Sequence, residues 1–394
     1  MGEQPFSLSF NNTETAFAYL SDKELKKVHF IFSMMHYGWL VKAGSAIAPW
    51  ALRIGLPVTN IIRRTLFKQF CGGEDLQEAA QTAQQLAKFK VGVILDYGVE
   101  AADGEENYDQ AVIEFKKAIE YAAQQANIPF ISLKVTGFSR FALLEKIHAH
   151  EILFGEEQQE FERVRQRIYH ICKRAYEKNI GVLIDAEESW IQQPVDDLAD
   201  EMMAAFNKEK GVIYNTFQLY RHDRLDFLKR SFNKSSDNNY ILGAKIVRGA
   251  YMEKERKRAE EMNYPSPIQK DKNATDKDYN EAVSFCLDHT EDVAVFIGTH
   301  NEESSMLGAR LLHDKGIPHN HPHIHFAQLY GMSDNITFNL AQAGYPASKY
   351  LPYGPVKDVM PYLIRRAQEN SSISGQIGRE LSLVNEELKR RKLR

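Results

Sequence analysis

The sequence predicts an α/β fold, a (β/α)8 TIM-like barrel with an N-terminal helical extension. From about residue 80 onward, short β-branched runs alternate eight times with amphipathic helical patterns. The last of these runs is followed by one more helical pattern, which favours a closed barrel over an open sheet. A chain of 394 residues with 43% hydrophobic residues is long enough for one barrel and an extension.

The eight predicted strands are rich in Val, Ile, Leu and Phe. They are Val91–Asp96, Phe130–Val135, Gly181–Asp185, Val212–Gln218, Ala244–Val247, Val293–Ile297, Ile324–Phe326 and Ala347–Leu351. The helical patterns between them include Gln110–Ala126, Glu157–Lys178, Leu198–Lys208, Tyr279–Asp288, Ser304–Lys315 and Asn335–Ala343. The sequence contains neither G-x-G-x-x-G nor a Walker A motif, so neither a Rossmann nor a P-loop nucleotide site is indicated.

Residues 1–80 form a predicted N-terminal helical segment, residues 81–370 the barrel, and residues 371–394 a C-terminal helix or tail. The apolar run at 28–41 is shorter than the roughly 20 residues that a membrane-spanning helix needs. The run at 43–62 is interrupted by Pro49, Arg53 and Pro57, so it is a poor spanning helix as well. Two interpretations stay open: a helical subdomain packed on the barrel, or a segment at a membrane surface.

Composition excludes several classes of protein. A net charge of −4, with one short basic stretch at 389–392, argues against nucleic-acid binding. Cys71, Cys172 and Cys286 are odd in number and far apart, which indicates a reducing compartment without a disulfide framework or a zinc site. Because residues 1–10 show no secretory signal, we expect a cytoplasmic protein.

A helix with an unusual charged face is predicted after the eighth strand. The Gly-Pro pair at 354–355 is a turn followed by a residue suited to a first helical position, so the helix should cover 355–369. At 100° per residue, one narrow face carries Tyr362, Arg365, Arg366 and Glu369. For an arbitrary helix this would be a solvated face, and the surroundings must decide.

In a (β/α)8 barrel the catalytic groups lie at the C-terminal ends of the strands. Polar or ionisable side chains follow nearly every predicted strand at that end. They include Lys134, Asp185, Gln218, Lys245, Arg248, Tyr251, Thr299, His300, Gln328 and Tyr350. Asp185 alone could be a helix cap, and Lys134 alone could extend to solvent. Their joint recurrence predicts a functional site.

Several of these segments resemble proline dehydrogenase, the flavin enzyme family that opens proline catabolism. The matching segments are Lys134–Gly137, Ile184–Glu187, Lys245–Tyr251, Gly298–Asn301, Gln328–Met332 and Tyr350 with Tyr362-x-x-Arg365-Arg366-x-x-Glu369. They follow one another in order over about residues 90–370. The resemblance implies a distorted (β/α)8 barrel whose FAD lies across the C-terminal ends of the strands.

The resemblance also implies how a substrate is held. Arg365, Arg366 and Lys134 would bind the carboxylate of L-proline, which suits the bidentate fork of a guanidinium. Glu369 would hold this cationic cluster, and Asp185 would complete the polar network near the substrate. The apolar wall around the proline ring would be formed by Tyr251, Leu329, Tyr350 and Tyr362.

Catalytic roles are implied for Asp185 and for Lys245, which would place positive charge near the reactive edge of the flavin. The remaining FAD contacts would come from Ala186, Gln218, Arg248, Gly249, Ala250, Thr299 and His300. Proline would be oxidised to Δ1-pyrroline-5-carboxylate, with electrons passed to a quinone. Because a quinone lies in a membrane, the interpretation that residues 28–62 contact a membrane surface stays open. We expect a separate pyrroline-5-carboxylate dehydrogenase, and a gate formed by Glu100 with Arg365 or Arg366.

Two other functions are weighed against this one. A hydroxyproline dehydrogenase would share the barrel and both arginines, but we expect a smaller, polar residue in place of Tyr350, so Tyr350 favours proline. A metal-dependent barrel protein could use the histidines of the run 319–325 together with His313. This run precedes the seventh strand and so lies on the face of the barrel away from the chemistry, which favours an incidental role.

Overall fold

The computed structural model describes residues 6–39, 58–98, 103–372 and 376–393. Eight strands close into one barrel in chain order, which confirms the predicted fold class. The strands are β1 (Gly92–Tyr97), β2 (Phe130–Lys134), β3 (Gly181–Asp185), β4 (Ile213–Gln218), β5 (Leu242–Val247), β6 (Val293–Gly298), β7 (Ile324–Leu329) and β8 (Ala347–Tyr353). Every predicted strand is therefore present, and the largest difference is that β7 continues past Phe326 to Leu329.

Helices precede the barrel and connect its strands. The helices before β1 are Thr13–Ala16, Asp22–Met35, Val58–Ile62, Lys68–Phe70 and Leu76–Ala87, with a π-helical turn at Arg63–Phe67. Those between β1 and β7 are Glu105–Ala122, Phe141–His148, Glu156–Lys178, Gln192–Phe206, Arg224–Asp237, Met252–Glu261, Lys272–Asp288 and Glu302–Asp314. Asp334–Gln342 follows β7, and Met360–Ser372 and Gln376–Arg390 follow β8. All six predicted helical patterns are found, with shifted ends.

The predicted start of the helix after β8 is wrong. The helix begins at Met360, not at Pro355, because the intervening residues form a turn in which the N–H groups of Asp358 and Val359 donate to the Pro355 carbonyl at 2.9 and 3.2 Å. Pro361 stands in the first helical turn, where a missing N–H costs nothing. Pro361, rather than Pro355, is therefore the residue in the sequence that indicates where this helix begins.

The chain divides into two compact units, residues 1–100 with 328–394, and residues 101–327. In the unit of residues 101–327, the parallel register places Lys134 beside Asp185 and Thr216 beside Lys245. The strands here are buried almost throughout, as the parallel strands of a barrel should be. The boundaries predicted at 80 and 370 stay predictions.

In the unit of residues 1–100 and 328–394, β1 pairs in parallel with β8. A hydrophobic cluster there joins the N-terminal and C-terminal helices, with Phe32, Phe70, Leu363 and Leu383 among its buried members. The helix Asp22–Met35 begins with a capping box of Ser21 and Glu24. The segment predicted to touch a membrane, 28–62, is only partly described, since residues 40–57 lie outside the described ranges. Across those ranges, every helix is too short or too polar to cross a membrane.

Candidate active site

The predicted catalytic residues of the unit 101–327 meet in a salt bridge. Lys245 Nζ lies 2.6 Å from Asp185 Oδ1, and the two side chains are only 8% and 15% exposed. They come from β5 and β3, on either side of β4, and in a (β/α)8 barrel alternate strands send side chains into the same interior layer. The contact therefore places both groups inside the barrel mouth, where their charges are weakly screened by water.

Two residues after Asp185 stands a carboxyl group to which the sequence assigns no role. Glu187 is buried, and both of its carboxylate oxygens accept from the Thr136 hydroxyl, at 2.9 and 2.8 Å. Burial raises the pKa of Glu187 to about 7, although the charge of Lys134 and the Thr136 hydrogen bonds act in the opposite direction. Glu187 belongs to the matching segment Ile184–Glu187, but nothing in that segment shows that its partner lies in the turn after β2.

Glu187 makes the stability of the fold depend on pH. Between its usual pKa of 4.5 and about 7, the native state keeps a proton that the unfolded chain has lost, so the free energy of unfolding falls as the pH rises through this window. Relative to the wild type, Glu187→Gln should gain up to about 3 kcal/mol between pH 4.5 and pH 8. Urea denaturation at both pH values measures this gain. The exposed Glu253→Gln serves as the control, and parallel pH profiles for Glu187→Gln and wild type would contradict the expectation.

The backbone of the loop after β3 is held from two sides. The Glu187 N–H donates to Gln192 Oε1, and Gln218 Nε2 donates to the Glu187 carbonyl, both at 3.0 Å. Gln192 in turn donates to Asp196, which is paired with Arg224 at 2.9 Å, and both charged groups are buried. The loop that contains Ala186 is therefore fixed before any ligand binds.

The residues predicted to hold a cofactor offer groups that suit a flavin nucleotide. Gln218 is 2% exposed, and its Oε1 has no hydrogen-bond partner among the described residues, so it is free to accept from a ring N–H. The Arg248 guanidinium is held by Asp276 at 2.8 Å, Thr299 Oγ1 at 2.7 Å and Ser304 Oγ at 2.9 Å, and it supplies a fixed positive charge that suits a phosphate.

The chain after Arg248 turns sharply. Gly249 has φ +134°, a conformation that favours glycine, and a Cβ there would lie 2.5 Å from the ring of Tyr220. Gly249 and Ala250 are exposed, and Tyr251 is half-buried at the start of the helix Met252–Glu261. That helix is fixed by the buried Glu255, which accepts from Ser189 N and Oγ at 2.7 and 2.6 Å. His300 is half-buried just after β6.

The unit of residues 1–100 and 328–394 carries the other predicted substrate residues. Arg366 is 6% exposed, and its guanidinium carbon lies 5.3 Å from the centroid of the Tyr362 ring. Arg365 and Leu329 are half-buried, and Tyr350 is 7% exposed on β8. Glu369 belongs to the helix Met360–Ser372, but its side chain lies outside the description, as does all of Glu100.

The histidines of the run 319–325, the last of which lies in β7, make packing and backbone contacts. The His325 ring stacks on Phe296 at 5.4 Å and meets Phe130 edge-on at 4.8 Å, and burial lowers its pKa to about 3. His323 Nδ1 lies 2.7 Å from the Thr290 carbonyl. Over the described part of the chain, nowhere do three or more His, Cys, Asp or Glu side chains come together to hold a metal ion.

A closed (β/α)8 barrel with a largely buried pair of Lys245 on β5 and Asp185 at the end of β3, and a buried arginine on the helix after β8, is typical of a barrel enzyme. The family model described as "Proline dehydrogenase" matches residues 79–379. The chain belongs to the proline dehydrogenase family and is an oxidoreductase, as the resemblance implied.

Named relatives and solved structures agree with this assignment. Proline dehydrogenase 1, mitochondrial, from Dictyostelium discoideum is 32% identical over 384 residues, 86% of this chain and 67% of that protein. A hydroxyproline dehydrogenase from Xenopus laevis is 30% identical over 365 residues, 84% of this chain and 78% of that protein. The crystal structure of proline utilization A from Bdellovibrio bacteriovorus superposes with a TM-score of 0.71 at 19% identity, which supports the fold alone. It covers 93% of this chain, which spans only 37% of that longer protein.

Proposed function

We propose that this enzyme oxidises L-proline to Δ1-pyrroline-5-carboxylate with FAD and passes the electrons to a quinone. The observation that carries the proposal is that the family match, 79–379, contains every residue of the proposed site, from Lys134 to Glu369. Because the product is a reactive imine, we propose that a separate pyrroline-5-carboxylate dehydrogenase consumes it.

In this proposal the substrate carboxylate is bound by Arg365, Arg366 and Lys134, with Glu369 as their brace. Three cations compensate for the hydration that a carboxylate loses in a closed site. The proline ring is bounded by Tyr251, Leu329, Tyr350 and Tyr362. Orientation of the reacting carbon is the main contribution of these residues to the rate.

FAD is held by Ala186, Gln218, Lys245, Arg248, Gly249, Ala250, Thr299 and His300. When bound, it supplies the acceptor for the hydride that leaves the proline carbon next to the ring nitrogen. Lys245 keeps a positive charge in the barrel interior, and Asp185 keeps that ammonium in place through the 2.6 Å contact.

The test is proline-dependent reduction of a quinone analogue by the purified, flavin-containing protein, compared with trans-4-hydroxyproline. The alternative, a hydroxyproline dehydrogenase, is supported by the relative from Xenopus laevis. Because we propose a large phenol, Tyr350, where a hydroxyproline dehydrogenase would need room for the added ring hydroxyl, we expect a higher kcat/KM for proline. A higher value for hydroxyproline would replace the proposed substrate, and a protein without flavin absorbance would overturn the proposed chemistry.

We also propose that residues 28–62 contact a membrane surface, where a quinone lies. Phe30, Met34, Tyr37 and Trp39 are all exposed, the last at 68%, on and just after the helix Asp22–Met35. The double variant Phe30→Ser/Trp39→Ser should bind liposomes less well than the wild type in co-sedimentation. Ile152→Ser/Phe154→Ser, which removes two equally exposed apolar side chains of the unit 101–327, is the matched control. Equal binding by all three proteins would remove the idea, and the cytoplasmic localisation expected from the sequence stays a prediction.

A further inference from the structure

Residues 329–333, the last residue of β7 and the four that follow it, link two proposed walls of the substrate site. Leu329 is the last residue of β7, and the Tyr330 N–H donates to the Tyr350 carbonyl on β8 at 2.9 Å. A displacement of this segment would therefore move Leu329 and loosen the attachment to Tyr350. We call these five residues the β7 segment.

In three consecutive residues of the β7 segment, one backbone group is hydrogen-bonded by a side chain from elsewhere in the same unit. Gln69 Nε2 donates to the Gly331 carbonyl at 3.0 Å, and Lys349 Nζ donates to the Met332 carbonyl at 2.5 Å. The Ser333 N–H donates to Glu380 Oε1 on the helix Gln376–Arg390. The segment is thus fixed by the N-terminal helices, by β8 and by the C-terminal helix.

Backbone conformation shows that this fixation is needed. Ser333 has φ +50°, which is unfavourable for a residue with a Cβ, and Gly331 has φ +76°. A Cβ at Gly331 would lie 2.0 Å from the carbonyl oxygen of Gln69, so the two segments touch through their backbones. The unfavourable backbone conformation at Ser333 is maintained by the hydrogen bonds with Gln69, Lys349 and Glu380.

The contacts are buried, so their loss is not compensated by water. Glu380 and Ser333 are 4% and 3% exposed, and Lys349 is fully buried beside Asp334 at 2.7 Å. Asp334 also accepts from the Tyr19 hydroxyl at 2.7 Å, which ties the N-terminal segment to the same place. A buried N–H that loses its acceptor is costly, and the segment would shift to recover one.

We propose that Gln69 and Glu380, which lie outside the family match at 79–379, are positioning residues that fix the β7 segment and thereby the proline-binding wall formed by Leu329 and Tyr350. The terminal helices of this chain are then part of its substrate recognition. The inference rests on the proposed function for the identity of the substrate and for the wall formed by Leu329 and Tyr350.

The kinetic test is Glu380→Ala, which removes the acceptor of the Ser333 N–H. We expect the KM for proline to rise about tenfold with a smaller change in kcat and an unchanged flavin content, because binding-site geometry is altered and chemistry is not. Glu380→Gln keeps an acceptor oxygen and should restore the KM to near the wild-type value. Glu386→Ala, at an exposed glutamate of the same helix, is the matched control.

A merely structural glutamate would lower the melting temperature and leave the KM of the folded enzyme unchanged, and that result would overturn the proposal. Gln69→Met keeps the size but removes the donor to Gly331, so it gives an independent test if Glu380→Ala does not fold. Hydrogen exchange of the 331–334 amides should be faster in both variants than in the wild type and in Glu386→Ala. Because this readout needs no turnover, unchanged exchange would overturn the positioning role even if proline proved not to be the substrate.

Discussion

Arg366→Met is expected to raise the KM for proline about 100-fold while FAD stays bound. The guanidinium is 6% exposed and lies over the Tyr362 ring, so its position is fixed before the substrate arrives. A charge-assisted pair to a carboxylate in such a place is worth about 2–3 kcal/mol, which corresponds to this change in affinity. Arg365→Met, at the half-buried neighbour, should have the same direction of effect.

The measurement is steady-state oxidation of proline together with the flavin absorbance of each purified variant. Lys357→Met, which removes an exposed cation just before the same helix, is the control for a general loss of positive charge. Arg366→Lys should recover only part of the affinity, because an ammonium cannot match a carboxylate with two parallel hydrogen bonds. Loss of flavin with a normal KM would show that the helix is structural and that the carboxylate site is elsewhere.

The strands of the barrel could be predicted because their signal is local. β3 was predicted with the ends it has, since its apolar run is bounded by Gly181 and Asp185. The sequence predicts that β7 ends at Phe326, because Ala327 and Gln328 are poor strand formers. The strand continues to Leu329, because both residues are buried in the barrel. The helix Met252–Glu261 was not predicted, since its sequence is almost wholly charged and lacks an apolar period.

Part of the site could be predicted because its residues stand at the ends of strands, whose signal is local in sequence. Side chains at strand ends follow from the strands, so Lys245 and Asp185 could be placed on one layer of the barrel once the fold was predicted. Glu187 could not be identified, because its hydrogen-bond partner Thr136 is distant in sequence. Glu380 could not be identified either, since its partner is the backbone of Ser333, and backbone N–H groups leave no mark in a sequence.

Lys245→Met is expected to slow reduction of the flavin by proline by about 100-fold or more, because it removes the cation proposed to lie beside the flavin and takes the ammonium away from Asp185. Removing one partner of a buried salt bridge costs about 3–5 kcal/mol, so the variant should also unfold more easily. Lys229→Met, at an exposed lysine paired with Glu281, is the control and should change neither property.

The double variant Lys245→Met/Asp185→Asn separates the two effects of Lys245. It also removes the negative charge of Asp185 that Lys245 no longer balances, so stability should return toward the wild-type value. If Lys245 only held Asp185 in place, Asp185→Asn alone would slow flavin reduction as much as Lys245→Met does. If the positive charge itself acts on the flavin, Asp185→Asn should be the milder variant, and the double variant should be stable but still slow. Anaerobic stopped-flow reduction by proline, with each variant loaded with flavin, distinguishes these outcomes, and full recovery of the rate in the double variant would refute a direct role for the ammonium.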